Sequence, residues 1–168
     1  WAPPQDFLDA QPRLKGLFNI GAGVDALMQL RLPTGVPVVR LDDAGMSVQM
    51  AEYVCHAVIR YFRELDVYAE EAQQAHWAFR RPRIRADFTV GVMGLGVLGQ
   101  RVAQALRGFE FPVVGWSRTP RQVEGITCHA GAEGLSAFLG ASQVLVNLLP
   151  LTPDTENILN RDTLGQLR

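Results

Sequence analysis

Residues 88–99 read FTVGVMGLGVLG. The first half, Phe88–Met93, is an apolar run that predicts a buried β-strand, and residues 97–107 repeat apolar side chains at the spacing of one helical face. The glycines between these segments predict a tight turn from the strand into the helix. A second apolar run over residues 111–116 completes a strand–helix–strand unit. We therefore predict an α/β fold with a parallel sheet and helices on its faces.

The glycines of this turn follow a G-x-G-x-x-G pattern, which is a dinucleotide fingerprint when it joins a strand to a helix. The first glycine permits the turn, the second lets the backbone approach a diphosphate, and the third lets the helix pack against the strand. Free N–H groups and the positive dipole at the helix N-terminus favour an anion. The alternative is a glycine-rich turn that binds no ligand. We predict cofactor contacts from five residues of this turn: Gly94, Gly96, Val97, Leu98 and Gly99.

A second informative segment follows the strand predicted over residues 111–116. A site that prefers NAD usually carries Asp or Glu here, but this chain has Ser117-Arg118-Thr119 and no carboxylate before Glu124. Two hydroxyls and a guanidinium suit a 2′-phosphate, which a carboxylate would repel. We predict that Ser117, Arg118 and Thr119 bind the extra phosphate of NADP, with Arg121 as a weaker candidate. The alternative is a polar loop in which the arginine is incidental.

The next elements are a weaker strand over residues 126–129, a helix over 132–139 and a strand over 143–148. The last strand leads into NLLPLTPDT at residues 147–155, a polar loop punctuated by prolines. Open α/β sheets bind ligands beyond the carboxyl ends of their strands. We predict that three residues of this loop flank the nicotinamide side of the cofactor: Leu148, Pro150 and Thr155.

The N-terminal half alternates short strands and helices in the same way. It predicts strands at Leu17–Ile20 and Val36–Leu41, with a helix over Asp25–Leu32 between them. A long helix is predicted over Ser47–Ala72, about 39 Å at 1.5 Å per residue. Residues 75–87 break the helical pattern and contain Arg80, Arg81, Arg83 and Arg85. We interpret them as a solvated connector, with phosphate binding as the less favoured alternative.

Composition excludes several classes of protein. The 168 residues are 48% hydrophobic and carry a formal net charge of −1, so no basic surplus favours nucleic acid or an anionic membrane. No apolar run approaches the roughly 20 residues that a membrane span needs. Cys55 and Cys128 are isolated, which predicts neither a disulfide framework nor a metal site. These features favour a cytoplasmic protein.

With these residues assembled, the chain resembles the D-2-hydroxyacid dehydrogenases, and within them the glyoxylate/hydroxypyruvate reductase A branch. The resemblance covers nearly the whole chain. Beside the glycine turn, it is carried by several ordered stretches: Trp1-Ala2-Pro3-Pro4, Asn19 to Asp25, Gly45 to Tyr53, Trp116 to Thr119, Leu135 to Leu139, and Asn147 to Thr155.

The resemblance implies two lobes. Residues 1–84, including the long helix, would be part of a flavodoxin-like substrate domain, and residues 85–168 the first half of a Rossmann doubly wound sheet. The backbone amides of Ala22 and Gly23 would bind a substrate carboxylate, with Trp1 at the edge of the pocket. The implied reaction is NADP-dependent reduction of small 2-ketoacids, glyoxylate and hydroxypyruvate, by a homodimer.

The family's catalytic Arg, carboxylate and His lie downstream of the part that this chain matches. We therefore assign no catalytic residue here and expect a fragment, lacking both termini, that is inactive alone. His56, His76 and His129 are expected in surface or packing positions. Two alternatives remain: a non-catalytic dinucleotide-binding regulatory module, and a different NADP oxidoreductase on the same half-fold. The GAGVD sequence at residues 21–25 argues against the second.

Overall fold

A computed structural model describes residues 2–21, 23–41 and 43–168. The chain forms two compact units, which we call unit 1 (Trp1–Ala44 and Pro150–Glu156) and unit 2 (Gly45–Leu149 and Asn157–Arg168). The region of the predicted long helix therefore belongs to unit 2. The assignment of residues 1–84 to a substrate domain and of 85–168 to a nucleotide-binding domain depends on which ligand each part binds, and it stays a prediction.

Unit 1 contains both strands predicted for the N-terminal half. Strands β1 (Leu17–Asn19) and β2 (Val38–Arg40) pair in parallel, and helices α1 (Gln5–Asp9) and α2 (Asp25–Met28) accompany them. Helix α2 is shorter than the predicted segment that ends at Leu32. The backbone N–H of Arg31, which would continue the helix, donates instead to the side-chain oxygen of Gln5 at 2.8 Å.

Unit 2 is built on a parallel four-stranded sheet in the order β5-β4-β3-β6. Its central strand, β3, is buried at every residue because it has a neighbour on both edges and helices over its faces. The sheet confirms the prediction of an α/β fold with parallel strands. Its strands and flanking helices are β3 (Val90–Met93), α5 (Val97–Gly108), β4 (Val113–Ser117), β5 (Thr127–Ala130), α6 (Gly131–Ala141), β6 (Val144–Asn147) and the short α7 (Arg161–Leu164).

The prediction of one continuous helix over residues 47–72 is wrong. The structure has α3 (Met46–Phe62) and α4 (Leu65–Gln73), separated by Glu64 in the left-handed region at φ 55°. Helix α3 buries a face that ends at Phe62, whereas α4 buries no residue, so the core gives no support to a straight continuation. A hydrogen bond from Arg60 to Asp66, 2.6 Å from Nε to the carboxylate, holds the corner and lowers the pKa of Asp66.

The arginine-rich segment is a connector, as predicted, but its arginines are not simply solvated. Arg80 forms an ion pair with Glu71 at 2.8 Å, and the guanidinium of Arg83 lies 4.5 Å from the ring centroid of Tyr61. Arg85 lies 4.9 Å from the ring of Phe62 and 4.5 Å from that of Phe111. Such contacts stabilise a cation over the face of an aromatic ring. Within unit 2, these guanidinium groups therefore hold the connector against α3, α4 and Phe111.

Two further observations concern the described part of the chain. None of its helices has both the length and the apolar character required to cross a membrane. Its His, Cys, Asp and Glu side chains form no group of three that could hold a metal ion. Both cysteines are free thiols, and burial raises the pKa of Cys55.

Candidate functional site

The glycine turn lies where β3 ends and α5 begins, as the sequence predicts. Gly94 is in the left-handed region at φ +98°, and its N–H donates to the carbonyl oxygen of Trp116 at 2.8 Å. A Cβ at this position would lie 3.0 Å from the backbone carbonyl of Leu148. Both the conformation and the close approach of the β6 end therefore require glycine.

The other two glycines of the pattern have opposite surroundings. A Cβ on Gly99 would lie 1.7 Å from the carbonyl oxygen of Gly94, so the first turn of α5 packs directly on the loop before it. Gly96 is exposed and a Cβ there would meet no atom within 4 Å. The turn is thus closed on its protein side and open on the side where Gly96 and Val97 face outward.

The N-terminus of α5 is not capped by a side chain, and its first turn contains no acidic residue. The N-cap is Gly96, in an extended conformation with φ −76° and ψ −165°. The first N–H groups of a helix have no partner within the helix, and the dipole makes this end positive. The arrangement leaves a 12-residue helix with an anion-binding end beside an open glycine turn.

The tip of β4 carries the three residues predicted for the NADP phosphate. Ser117 is the last residue of the strand, is 8% exposed, and its hydroxyl donates to the carbonyl oxygen of Thr119 at 2.8 Å. Arg118 and Thr119 are exposed, as is Arg121. The structure therefore presents two of the three side chains at the surface and uses the hydroxyl of the third to shape the tip.

Sequence reasoning missed a neighbour of this tip. The indole N–H of Trp116 donates to the carbonyl oxygen of Gly131 at 2.9 Å, across the junction of β5 and α6. Gly131 has φ +65°, and a Cβ on it would lie 3.9 Å from the carbonyl oxygen of Arg118. A buried Trp usually requires a partner for its N–H, but the sequence alone does not identify that partner.

The loop after β6 places its predicted residues in different surroundings. The N–H of Leu148 donates to the carbonyl oxygen of Met93 at 2.8 Å, which holds Leu148 beside the glycine turn. Pro150 and Thr155 belong to unit 1. The hydroxyl of Thr155 donates to the Pro150 carbonyl oxygen at 2.5 Å and accepts from the Thr152 N–H at 2.9 Å, so it fixes the shape of the loop.

Unit 1 has a cavity of about 530 Å³ that is lined by both Gly23 and Pro150. The side-chain amide of Asn19 donates to the carbonyl oxygens of Gly21 and Gly23, each at 2.7 Å, and so fixes the turn that follows β1. Asn19 was not predicted to act at the site. Trp1 and Ala22, also predicted on the substrate side, lie outside the described residues.

The model of the D-isomer specific 2-hydroxyacid dehydrogenase family, NAD binding domain, matches residues 55–168. The chain belongs to this family. The family resemblance expected from the sequence motifs is therefore confirmed, and the match covers the glycine turn, the tip of β4 and the loop after β6.

Individual relatives agree with the family match. A glyoxylate/hydroxypyruvate reductase A from Yersinia enterocolitica is 49% identical over 99% of this chain and 55% of its own length. A 2-hydroxyacid dehydrogenase from Xanthobacter autotrophicus, solved with NADPH and MES, has a TM-score of 0.92 at 43% identity, covering 99% of this chain and 53% of that one. The NADPH-dependent glyoxylate/hydroxypyruvate reductase of Sinorhizobium meliloti, solved with NADP and sulfate, gives 0.93 at 40%, covering 99% and 52%. The chain spans about half the length of the relatives it matches.

The three histidines lie outside the residues predicted to bind ligands. His56 and His76 are exposed, on α3 and after α4. His129 is half-buried in β5, where its ring centroid lies 6.4 Å from that of Phe138. These are surface and packing positions, so the structure offers no reason to give any of them a catalytic role.

Proposed function

We propose that this chain provides the cofactor-binding half of an NADP-dependent reductase that converts small 2-ketoacids, glyoxylate and hydroxypyruvate, to 2-hydroxyacids. The observation that carries the proposal is the pairing of an open glycine turn at the N-terminus of α5 with an exposed Arg118, instead of a carboxylate, at the tip of β4. The relatives solved with NADPH and NADP support the choice of cofactor.

The arrangement of unit 2 fits a dinucleotide. Counted from β3, the strand order is 3-2-1-4, which corresponds to the first half of a Rossmann sheet. The exposed backbone at Gly96 leaves room for a diphosphate where the N–H groups of Val97, Leu98 and Gly99 would receive it. Leu148, held beside Gly94, would close the other side of the cofactor. The parallel β1–β2 pair of unit 1 fits part of a flavodoxin-like domain.

The 2′-phosphate would be bound by Arg118 and Thr119, with Ser117 holding the loop. A guanidinium can donate two parallel hydrogen bonds to a phosphate, and it keeps its charge at every physiological pH. The adenosine ribose of NADH, which has no 2′-phosphate, would find no carboxylate here to accept hydrogen bonds from its hydroxyls. The proposal therefore predicts a preference for NADPH over NADH.

On the substrate side, we propose that the amides of Ala22 and Gly23 bind the ketoacid carboxylate, with Trp1 at the pocket edge. Support comes from Asn19, whose side-chain amide donates to the carbonyl oxygens of Gly21 and Gly23 and so ties these two glycines together; glycine-flanked turns of this kind can form an anion-binding nest. Pro150 and Thr155 would flank the nicotinamide. NADPH, when bound, supplies the hydride for reduction, and no residue of this chain is assigned the accompanying proton transfer.

We further propose that the complete enzyme is a cytoplasmic homodimer. Tyr53 and Tyr61 on α3 are 71% and 57% exposed. Large exposed apolar surface of this kind is typical of protein–protein contacts. The homodimer is tested by measuring the molar mass of the complete protein in solution.

The cofactor proposal is tested by titrating the 168-residue chain with NADPH and with NADH, following nicotinamide fluorescence. We expect tighter binding of NADPH. The substitution Arg118→Asp should weaken NADPH binding about tenfold or more, since it replaces a charge-assisted hydrogen bond by repulsion, and should not weaken NADH binding. Arg81→Asp, an exposed change in the connector, is the matched control. Equal affinity for the two cofactors, or a preference unchanged by Arg118→Asp, would contradict the proposal.

The reaction is tested in the chain extended to the length of its relatives. Oxidation of NADPH is followed at constant pH with glyoxylate, hydroxypyruvate and, as a comparison, pyruvate. Turnover with the first two supports the proposed substrates. Binding of NADPH without turnover of any 2-ketoacid would favour the non-catalytic module instead.

A further inference from the structure

The tip of β4 is held from both sides by hydrogen bonds that do not involve Arg118 or Thr119 side chains. On one side, the Ser117 hydroxyl donates to the carbonyl oxygen of Thr119 at 2.8 Å. On the other, the Trp116 indole donates to the carbonyl oxygen of Gly131 at 2.9 Å. Both donors are at least nine-tenths buried, with Trp116 5% and Ser117 8% exposed. The loop that carries the arginine is therefore shaped by groups beneath it.

The bond from Trp116 links the end of β4 to the β5–α6 junction, beside the proposed phosphate site. Strands β4 and β5 pair in register, with Trp116 opposite His129 and Ser117 opposite Ala130. Gly131 follows at the start of α6, in the left-handed region at φ +65°. A Cβ built on Gly131 would lie 3.9 Å from the carbonyl oxygen of Arg118. Without the indole donor, the Gly131 carbonyl would lose this bond, and the pairing of β4 with β5 up to Ala130 would be the remaining tie at the junction.

We propose that Trp116 is a positioning residue for cofactor choice: its indole N–H holds the β5–α6 junction against the tip of β4 and so preforms the 2′-phosphate pocket. The proposal rests on the NADP-binding function argued above. Trp116 acts without contacting the cofactor, because its side chain is buried and its N–H is directed at Gly131. It acts through the backbone of Arg118 and its neighbours.

A purely structural role is the competing explanation. The Trp116 ring packs in a buried cluster with Met93, Phe138 and Leu139, so its loss would also reduce stability. A structural role would change the binding of every adenosine ligand alike. A positioning role changes only the ligand that carries a 2′-phosphate, because the diphosphate end of the site is formed by the glycine turn.

The test compares adenosine 2′,5′-bisphosphate with 5′-AMP, which differ only in the 2′-phosphate. Affinities are measured by calorimetry on the 168-residue chain and on Trp116→Phe, which keeps an aromatic ring and removes the donor. We expect a three- to tenfold loss of affinity for the bisphosphate, the scale of one hydrogen bond, and less than about a twofold change for 5′-AMP. Trp77→Phe is the matched control, since Trp77 is 83% exposed and outside the site.

A second variant covers the case in which Trp116→Phe does not fold. Gly131→Ala leaves the buried ring in place and strains the junction, because Ala is disfavoured at φ +65°. It should give the same selective loss. Equal losses for both ligands, or no loss, in a folded variant would overturn the positioning role. If the unmodified chain itself does not prefer the bisphosphate, the proposed NADP function fails first, and this result is distinct from a failure of the variants.

Discussion

At the scale of single residues, the structure separates two glycines that the sequence motif treats alike. A Cβ on Gly99 would overlap the carbonyl oxygen of Gly94, whereas one on Gly96 would project into open space. We expect Gly99→Ala to lower the free energy of unfolding by about 1–3 kcal/mol, as forced overpacking does, and to disturb cofactor binding through the fold. The measurement is urea unfolding followed by circular dichroism.

Gly96→Ala is the matched partner of that variant. It should lower the free energy of unfolding by about 1 kcal/mol or less, because Ala is a poorer N-cap than Gly but its methyl group would meet no atom within 4 Å. It should nevertheless weaken NADPH binding about tenfold, since the methyl group occupies the space into which the diphosphate must fit. A stable Gly96→Ala chain with unchanged NADPH affinity would show that the cofactor does not approach the turn.

At the scale of elements, the strands were predictable and the helix break was not. Strands β3, β4 and β6 of unit 2 are apolar runs, so composition locates them, whereas β5, with the sequence TCHA, gives a weaker signal. The turn at Glu64 contains no Gly or Pro, the residues that usually indicate a helix end in a sequence. It follows from the core ending at Phe62 and from contacts of Arg60 and Arg83 with acidic partners, and no sequence window contains that information.

The candidate site was also only partly predictable, because sequence windows show local patterns but not the partners that a folded chain brings together. The glycine turn and the residues of the β4 tip are local patterns, and local patterns are readable from sequence. The bonds of Trp116 to Gly131 and of Thr155 to Pro150 are choices among many possible partners, and only the folded chain makes them. The inward use of the Ser117 hydroxyl was missed for the same reason.

The helix break gives a prediction at this scale. Helix α4 buries no side chain, whereas α3 buries six residues along its length. Local opening is governed by such buried contacts, so amide hydrogens of α4 should exchange at least about tenfold faster than those of α3. Hydrogen–deuterium exchange with mass spectrometry measures both helices in one experiment. Equal protection of the two would mean that α4 is covered in solution by something that the chain alone does not provide.

At the scale of the whole molecule, the two units differ in how much apolar surface they bury. Among the described residues of unit 1, the buried apolar side chains are Leu8 and Leu27, while unit 2 holds two separate clusters of buried apolar residues, each with members in β3. Burial of apolar surface is the main favourable term in folding. We therefore expect two transitions in urea, with peptides of unit 1 losing protection from exchange at the lower concentration.

Ligands should act on these transitions differently. Adenosine 2′,5′-bisphosphate reaches only the glycine turn and the tip of β4, so at 100 times its Kd it should stabilise unit 2 by about 2.7 kcal/mol and leave unit 1 unchanged. NADPH should in addition protect the peptide over residues 150–156, because Pro150 and Thr155 are proposed to flank the nicotinamide. Exchange measured across a urea series, with each ligand and without, separates these effects. Protection of residues 150–156 by the bisphosphate alone would place those residues at the adenosine end and contradict the proposed orientation of the cofactor.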